Sequence, residues 1–109
     1  MLVSRVAVLS HYLGSQLSPE QIIEDFRTFY YETALSGFET NLVALENLVG
    51  LDRMLFGTDF PAVEAQTSAW YTNNVDAYFA GRPEALERVM RGNALTLLPR
   101  LGKLRAAAG

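Results

Sequence analysis

Met54-Leu55-Phe56-Gly57-Thr58-Asp59-Phe60-Pro61 is the stretch whose reading decides the fold. Three apolar side chains run into a glycine, a threonine, an aspartate and a proline. That is the pattern of a short buried strand closed by a turn that carries a carboxylate. Gly57 permits a turn, or the close approach of another group to the backbone. Pro61 has no N–H and biases Phe60 toward an extended conformation, so the strand has to stop before it. In α/β proteins ligands bind at the carboxyl ends of parallel strands, which makes Asp59 the first candidate for chemistry. A plain turn holding a strand-end aspartate is the structural alternative.

Working back from this strand, Phe38, Leu42, Leu45 and Val49 recur at helical spacing, with Leu48 widening the stripe. Gly50 stands where a left-handed helix end belongs, and Leu51 can fold back on the last turn. Before the helix, Thr28-Phe29-Tyr30-Tyr31-Glu32-Thr33 is dense in aromatic and β-branched residues and reads as a second strand, covered on both faces. Residues 28–33, 38–49 and 54–57 therefore spell strand, helix, strand with short joints, which predicts a βαβ unit with parallel strands.

Further out the chain reads as helical. Leu2, Val6, Leu9 and Leu13 form one face of a helix that Gly14 stops. Ser18-Pro19-Glu20-Gln21 has the marks of a capping box with proline at the first helical position, and Ile22, Ile23 and Phe26 supply the buried face. After Pro61 the periodicity weakens around Gln66, Asn73 and Asn74, predicting one helix over 63–71 and a second piece over 75–79. Arg82-Pro83-Glu84 opens another helix, which Gly92 ends; Asn93 is placed to cap a last helix bearing Leu95, Leu97, Leu98 and Leu101. The tail 106–109 is expected to fray.

The 109 residues suffice for one small core, and half of them are hydrophobic. With no cysteine there are no disulfides, thiolate ligands or cysteine nucleophiles, which fits a reducing, cytoplasmic setting. The net charge of -3 and the lack of one basic face argue against nucleic acid as a partner. Nine acidic and two basic residues lie between Glu20 and Glu64, whereas Arg82 to Arg105 holds six basic residues against two acidic ones; solvated helix faces and a basic tail account for this. No apolar run is long enough to span a bilayer, and the first residues make a poor signal peptide, so no membrane partner is expected. His11 is the only histidine and lies off the apolar stripe, where a surface role is the simpler reading.

Three blocks carry a resemblance. Phe29-Tyr30-Tyr31-Glu32-Thr33-Ala34-Leu35, then Asp52-Arg53 leading into Met54–Pro61, then Asn93-Ala94-Leu95-Thr96-Leu97-Leu98-Pro99 resemble, in order and spacing, the amidohydrolase-related family that includes aminocarboxymuconate-semialdehyde decarboxylase. The resemblance runs from about Ser18 to Leu101. It implies an α/β fold: a carboxyl-terminal fragment of a TIM (β/α)8 barrel, with residues 1–109 forming a single partial domain of two parallel strands and a mostly helical remainder. The strands would be the seventh and eighth of the barrel. Asp59 falls where the family keeps a metal-binding aspartate, usually on zinc, that also moves protons, so Asp59 is both the catalytic and the metal candidate. Glu32 stands where relatives often have aspartate.

The departures bear on function. A barrel of this type needs ~250 residues, and the family's His-x-His pair and mid-barrel histidines have no counterpart here. Zinc sites take three or four protein ligands. The expectation is therefore the carboxyl-terminal part of a metal-dependent hydrolase or non-oxidative decarboxylase acting on a small, aromatic carboxylate, inactive alone and binding zinc weakly. The alternative is a non-catalytic interaction module, a homodimer or a piece that completes a barrel with an amino-terminal partner. A free-standing acid–base enzyme using Asp59 and Glu32 has the least support. Two barrel strands alone would also leave two open sheet edges, which favours self-association.

Overall fold

The expected strand–helix–strand unit is present with shorter strands. In the computed structural model, which describes residues 2–108, β1 (Tyr31–Glu32) and β2 (Met54–Leu55) pair in parallel, Tyr31 opposite Met54 and Glu32 opposite Leu55. The Thr33 N–H adds one further ladder bond to the Leu55 carbonyl at 2.9 Å. α3 (Glu39–Val49) makes the crossover, and a 3₁₀ turn (Leu51–Arg53) leads into β2. Gly50 has φ 71° and ψ 176°, a positive-φ backbone open to glycine but not the left-handed helix end the sequence suggests.

The strand expected over 28–33 loses its first half to local bonding. Thr28 donates from its N–H (3.1 Å) and its hydroxyl (2.7 Å) to the Asp25 carbonyl, and the Phe29 N–H donates to Phe26 O. A threonine that can satisfy a carbonyl three residues back offers the backbone an alternative to pairing, and here that alternative overrides strand propensity.

The chain divides into two compact units, Met1–Tyr30 and Tyr31–Gly109. In the first, α1 (Leu2–Tyr12) packs with α2 (Pro19–Phe26). The capping box forms as its sequence indicates: the Gln21 N–H donates to Ser18 Oγ at 3.2 Å and the Ser18 N–H to Gln21 Oε1 at 2.8 Å. The predicted stripe of α1 is not its buried face. Ala7 is buried, while Leu2, Val6, Leu9 and Leu13 are exposed.

The second unit holds the main core, made by Leu42, Met54, Val75, Phe79, Ala85 and Val89, with Leu45, Val49, Leu51 and Phe56 packed around it. Met54 and Thr33 point to the helices and are buried; their neighbours Leu55 and Glu32 point to the other face, where Glu32 is exposed. Instead of two pieces after Pro61, one helix, α4 (Ala65–Tyr78), spans the region. Its inner stripe is Ser68, Thr72, Val75 and Phe79, at spacings of four, three and four. Half of that stripe is hydroxyl-bearing, which hides it from a search for apolar residues. Ser68 Oγ donates to Val63 O (3.4 Å) and Thr72 Oγ1 to Ser68 O (2.8 Å), so both polar groups are satisfied inside.

The carboxyl-terminal helices differ from expectation at Gly92. α5 (Pro83–Glu87) starts at Pro83 as read, but the chain passes through a π-turn (Arg88–Gly92) directly into α6 (Asn93–Leu97). Gly92 has helical φ -56° and ψ -44°, and Asn93 caps nothing. Leu98 leaves the helical region, Pro99 begins α7 (Pro99–Ala108), and the alanines expected to fray are helical through Ala108, in keeping with alanine's high helix propensity.

Candidate functional site

The carboxyl ends of β1 and β2 lie side by side because the strands are parallel and in register. β1 contributes Glu32 and Thr33 there, and β2 runs on through Gly57 and Thr58 to Asp59. Thr33 joins the two ends: its Oγ1 accepts from the Gly57 N–H at 3.3 Å and lies 3.4 Å from the Gly57 carbonyl. A buried hydroxyl thus continues the pairing after the regular ladder has stopped. Sequence reasoning placed Thr33 in the strand but missed this role.

Gly57 is needed for a close approach. A Cβ built on it would lie 2.3 Å from Glu32 Oε2, so the Glu32 carboxylate occupies the space a side chain would fill. Both groups belong to the face of the sheet turned away from α3 and α4. In a closed barrel that face is the interior.

Asp59 is exposed at the end of this path, with φ 61°. Aspartate tolerates the left-handed region better than most residues. The turn is held from both sides. The Phe60 N–H donates to Thr58 Oγ1 at 3.3 Å, and the Val63 N–H donates to the Asp59 carbonyl at 3.0 Å. The carboxylate is therefore carried on a fixed turn at the carboxyl end of a parallel strand, as the sequence indicates.

What surrounds it is incomplete for a metal. Among the described residues no group of three or more histidine, cysteine, aspartate or glutamate side chains could hold an ion. His11 lies in the first unit, where its Nδ1 is 3.3 Å from the Leu17 carbonyl and its ring meets Tyr12 edge to face. The donor set of the described residues alone does not fit zinc.

Clefts lie elsewhere in the second unit. One of about 460 Å³ is lined by Leu51, Arg82, Pro83 and Arg88, toward the amino end of β2. Another of about 390 Å³ is lined by Phe38, Glu39, Asn74, Ala77 and Tyr78. Beside them, Arg82 grips Glu46 of α3 with both guanidinium nitrogens, at 2.7 and 3.3 Å, and stacks 5.1 Å from the Tyr78 ring centre and 4.9 Å from that of Phe79. Tyr78 donates its hydroxyl to Glu46. Bonding to Arg82 holds the Glu46 carboxyl below its ordinary value, against the opposing effect of burial; desolvation, reinforced by Glu46, pushes the Tyr78 phenol up. These groups tie α3 to the end of α4 and take no part at the strand mouth.

Parallel strands crossed by a helix, with a carboxylate on the turn beyond the second, define part of a (β/α) barrel, and the chain belongs to the amidohydrolase family, whose profile matches residues 15–100. It is similar to a 6-methylsalicylic acid decarboxylase of Penicillium expansum, 41% identical over 86 residues that cover 78% of this chain and 26% of that protein. It is also similar to decarboxylase macB of Penicillium terrestre, 36% identical over 92% of this chain and 30% of the relative, and to the 6-methylsalicylic acid decarboxylase acuB of Aspergillus aculeatus, 34% identical over 83% and 28%. The chain thus spans between a quarter and a third of the length of these relatives. No solved structure matches it significantly. Among the described residues no helix is long and apolar enough to cross a membrane.

Proposed function

We propose that residues 1–109 act as one partial domain, the carboxyl-terminal strands of an amidohydrolase barrel that removes the carboxyl group of a small aromatic acid, in the manner of the aminocarboxymuconate-semialdehyde type of decarboxylase. The observation that carries this reading is Asp59, held on a fixed turn at the carboxyl end of β2 in a chain similar to named decarboxylases. The chain's part in the reaction is proton handling. Asp59 hands a proton taken from water to the ring carbon that bears the carboxylate, the carbon–carbon bond breaks, and carbon dioxide and hydroxide leave. Glu32 and Gly57 shape the adjoining wall of the barrel interior. Zinc would supply charge stabilisation for the substrate, but Asp59 is one ligand of the three or four that a zinc site takes. The remaining ligands have to come from an amino-terminal barrel portion.

Co-expression tests this. The Penicillium expansum decarboxylase, cut before its matching segment, is expressed with and without this chain, and carbon dioxide release from 6-methylsalicylate is followed. The reading expects activity only with both pieces and its loss in Asp59→Asn. Activity of the pair that persists in Asp59→Asn would contradict it.

One observation favours a second reading, a self-associating module. In the second unit alone Phe38, Val43, Phe60, Trp70, Leu97 and Leu98 are each more than 40% exposed, a large apolar surface for a small unit. Under this reading sedimentation equilibrium gives a dimer, the commonest closed assembly, in concentration-dependent exchange; a single monomer at tens of micromolar would dispose of it.

A further inference from the structure

The outer edge of β2 is closed by groups of this chain that are not a strand. In a parallel ladder the backbone groups of successive residues point to opposite sides. Leu55 bonds toward β1, as its carbonyl does with the Thr33 N–H, so the Met54 carbonyl and the Phe56 N–H point away from β1. Both are taken. The Phe56 N–H donates to the Val89 carbonyl at 3.0 Å, and Asn93 Nδ2 donates to the Met54 carbonyl at 2.8 Å.

The π-turn is what frees the acceptor. In an α-helix the Val89 carbonyl would receive the N–H of Asn93 four residues on. Here the Asn93 N–H bonds the Arg88 carbonyl, five residues back, and Val89 O is left to reach the strand. The same extra residue turns the Asn93 side chain onto β2, where its one amide nitrogen faces two carbonyls, Met54 O and Leu51 O, the latter at 2.5 Å. Asn93 is 5% exposed, Val89 1% and Met54 0%, so these bonds stand in a dry environment where an unmet partner is costly. Local π-turns inside helices commonly mark such special positions.

We propose that the π-turn and Asn93 together stand in for a neighbouring strand on β2, and that Asn93 is a positioning residue fixing the height at which β2 delivers Asp59. Three bonds clamp residues 51–56, the 3₁₀ turn and β2 with the residue after it. Asp59 is three residues beyond the last of them; Thr33 bonds Gly57 ahead of it, and Thr58 and Val63 bond the turn that carries it. The Met54 carbonyl and the Phe56 N–H are taken while these bonds stand, so a strand of an amino-terminal barrel portion that pairs with β2 there has to displace them. The value of that height for catalysis rests on the reading of Asp59 as a site residue; the clamp itself does not, and its test uses neither metal nor activity.

Amide exchange and the carboxyl ¹³C signal of Asp59 are measured in the full chain for wild type, Asn93→Ala, Asn93→Asp and the core control Val75→Ala. Both Asn93 variants are expected to lower protection of the Phe56 N–H at least about tenfold more than that of α4 amides, the size of one lost buried hydrogen bond, and to move the Asp59 signal. Asn93→Asp is the worse of the two, because a carboxylate then faces two carbonyls. Val75→Ala lowers protection throughout and leaves the Asp59 signal in place. Uniform loss of protection with an unmoved Asp59 signal in the Asn93 variants would overturn the proposal. Should those variants fail to fold, the wild-type chain decides: a through-bond coupling between the Phe56 nitrogen and the Val89 carbonyl carbon is expected, and rapid exchange without it would overturn the proposal equally.

Discussion

Two glycines of the second unit face opposite neighbours, and their substitution separates packing from mere proximity. At Gly37, which is buried, an added Cβ would lie 3.1 Å from the Tyr71 carbonyl and 3.2 Å from the Tyr71 Cβ, neither of which can move without shifting α4. Gly37→Ala is expected to cost about 1–3 kcal/mol, as overpacking does. At Gly57 the atom met is the tip of an exposed glutamate, which can swing away. Gly57→Ala is therefore expected to cost about 0.5 kcal/mol or less, a surface-sized effect, while displacing the Glu32 carboxylate from the strand mouth. Urea denaturation of both variants checks the contrast; equal losses would mean that Glu32 is locked in place. Asp59, Gly57 and the turn before Pro61 were legible from residue type alone, since glycine, aspartate and proline each restrict the backbone in a known way. Thr33 and Asn93 were not, because their roles depend on partners 24 and 39 or more residues away in sequence.

At the scale of elements, α3 is fastened to α4 by Glu46, Tyr78 and Arg82 as well as by the core. The pH dependence follows from the directions of the shifts. The Glu46 carboxyl is depressed when folded, chiefly by the Arg82 hydrogen bond, so its contribution is present above the ordinary value of 4.5 and is lost as pH falls through the lower folded value. The Tyr78 phenol is raised, chiefly by desolvation, so its contribution is present below 10.0 and is lost as pH climbs through the higher folded value. Glu46→Gln is expected to flatten the acid limb of the stability–pH curve and to weaken the alkaline limb without abolishing it, because desolvation still raises Tyr78; an unchanged acid limb would remove the clamp from the account. α3, its glycine end and the capping box of α2 were readable because each is a local pattern. α4 was read as two pieces because Ser68 and Thr72 carry half of its inner stripe, and the π-turn was invisible because nothing in Arg88-Val89-Met90-Arg91-Gly92 distinguishes it from a helix ending at glycine.

At the scale of the whole molecule the chain belongs to the amidohydrolase family, and the central proposal is that Asp59 is the carboxylate of a barrel site whose other metal ligands are supplied from elsewhere. The fold class was legible because parallel strands, crossover helix and strand-end aspartate follow one another without interruption. Closure of the β2 edge was not, since it is made by helical groups remote in sequence. Calorimetric titration of zinc into the purified chain, wild type and Asp59→Ala, tests the claim most directly. The account predicts weak binding or none, because one carboxylate without imidazole partners makes a poor zinc site. Tight one-to-one binding that survives Asp59→Ala would contradict it.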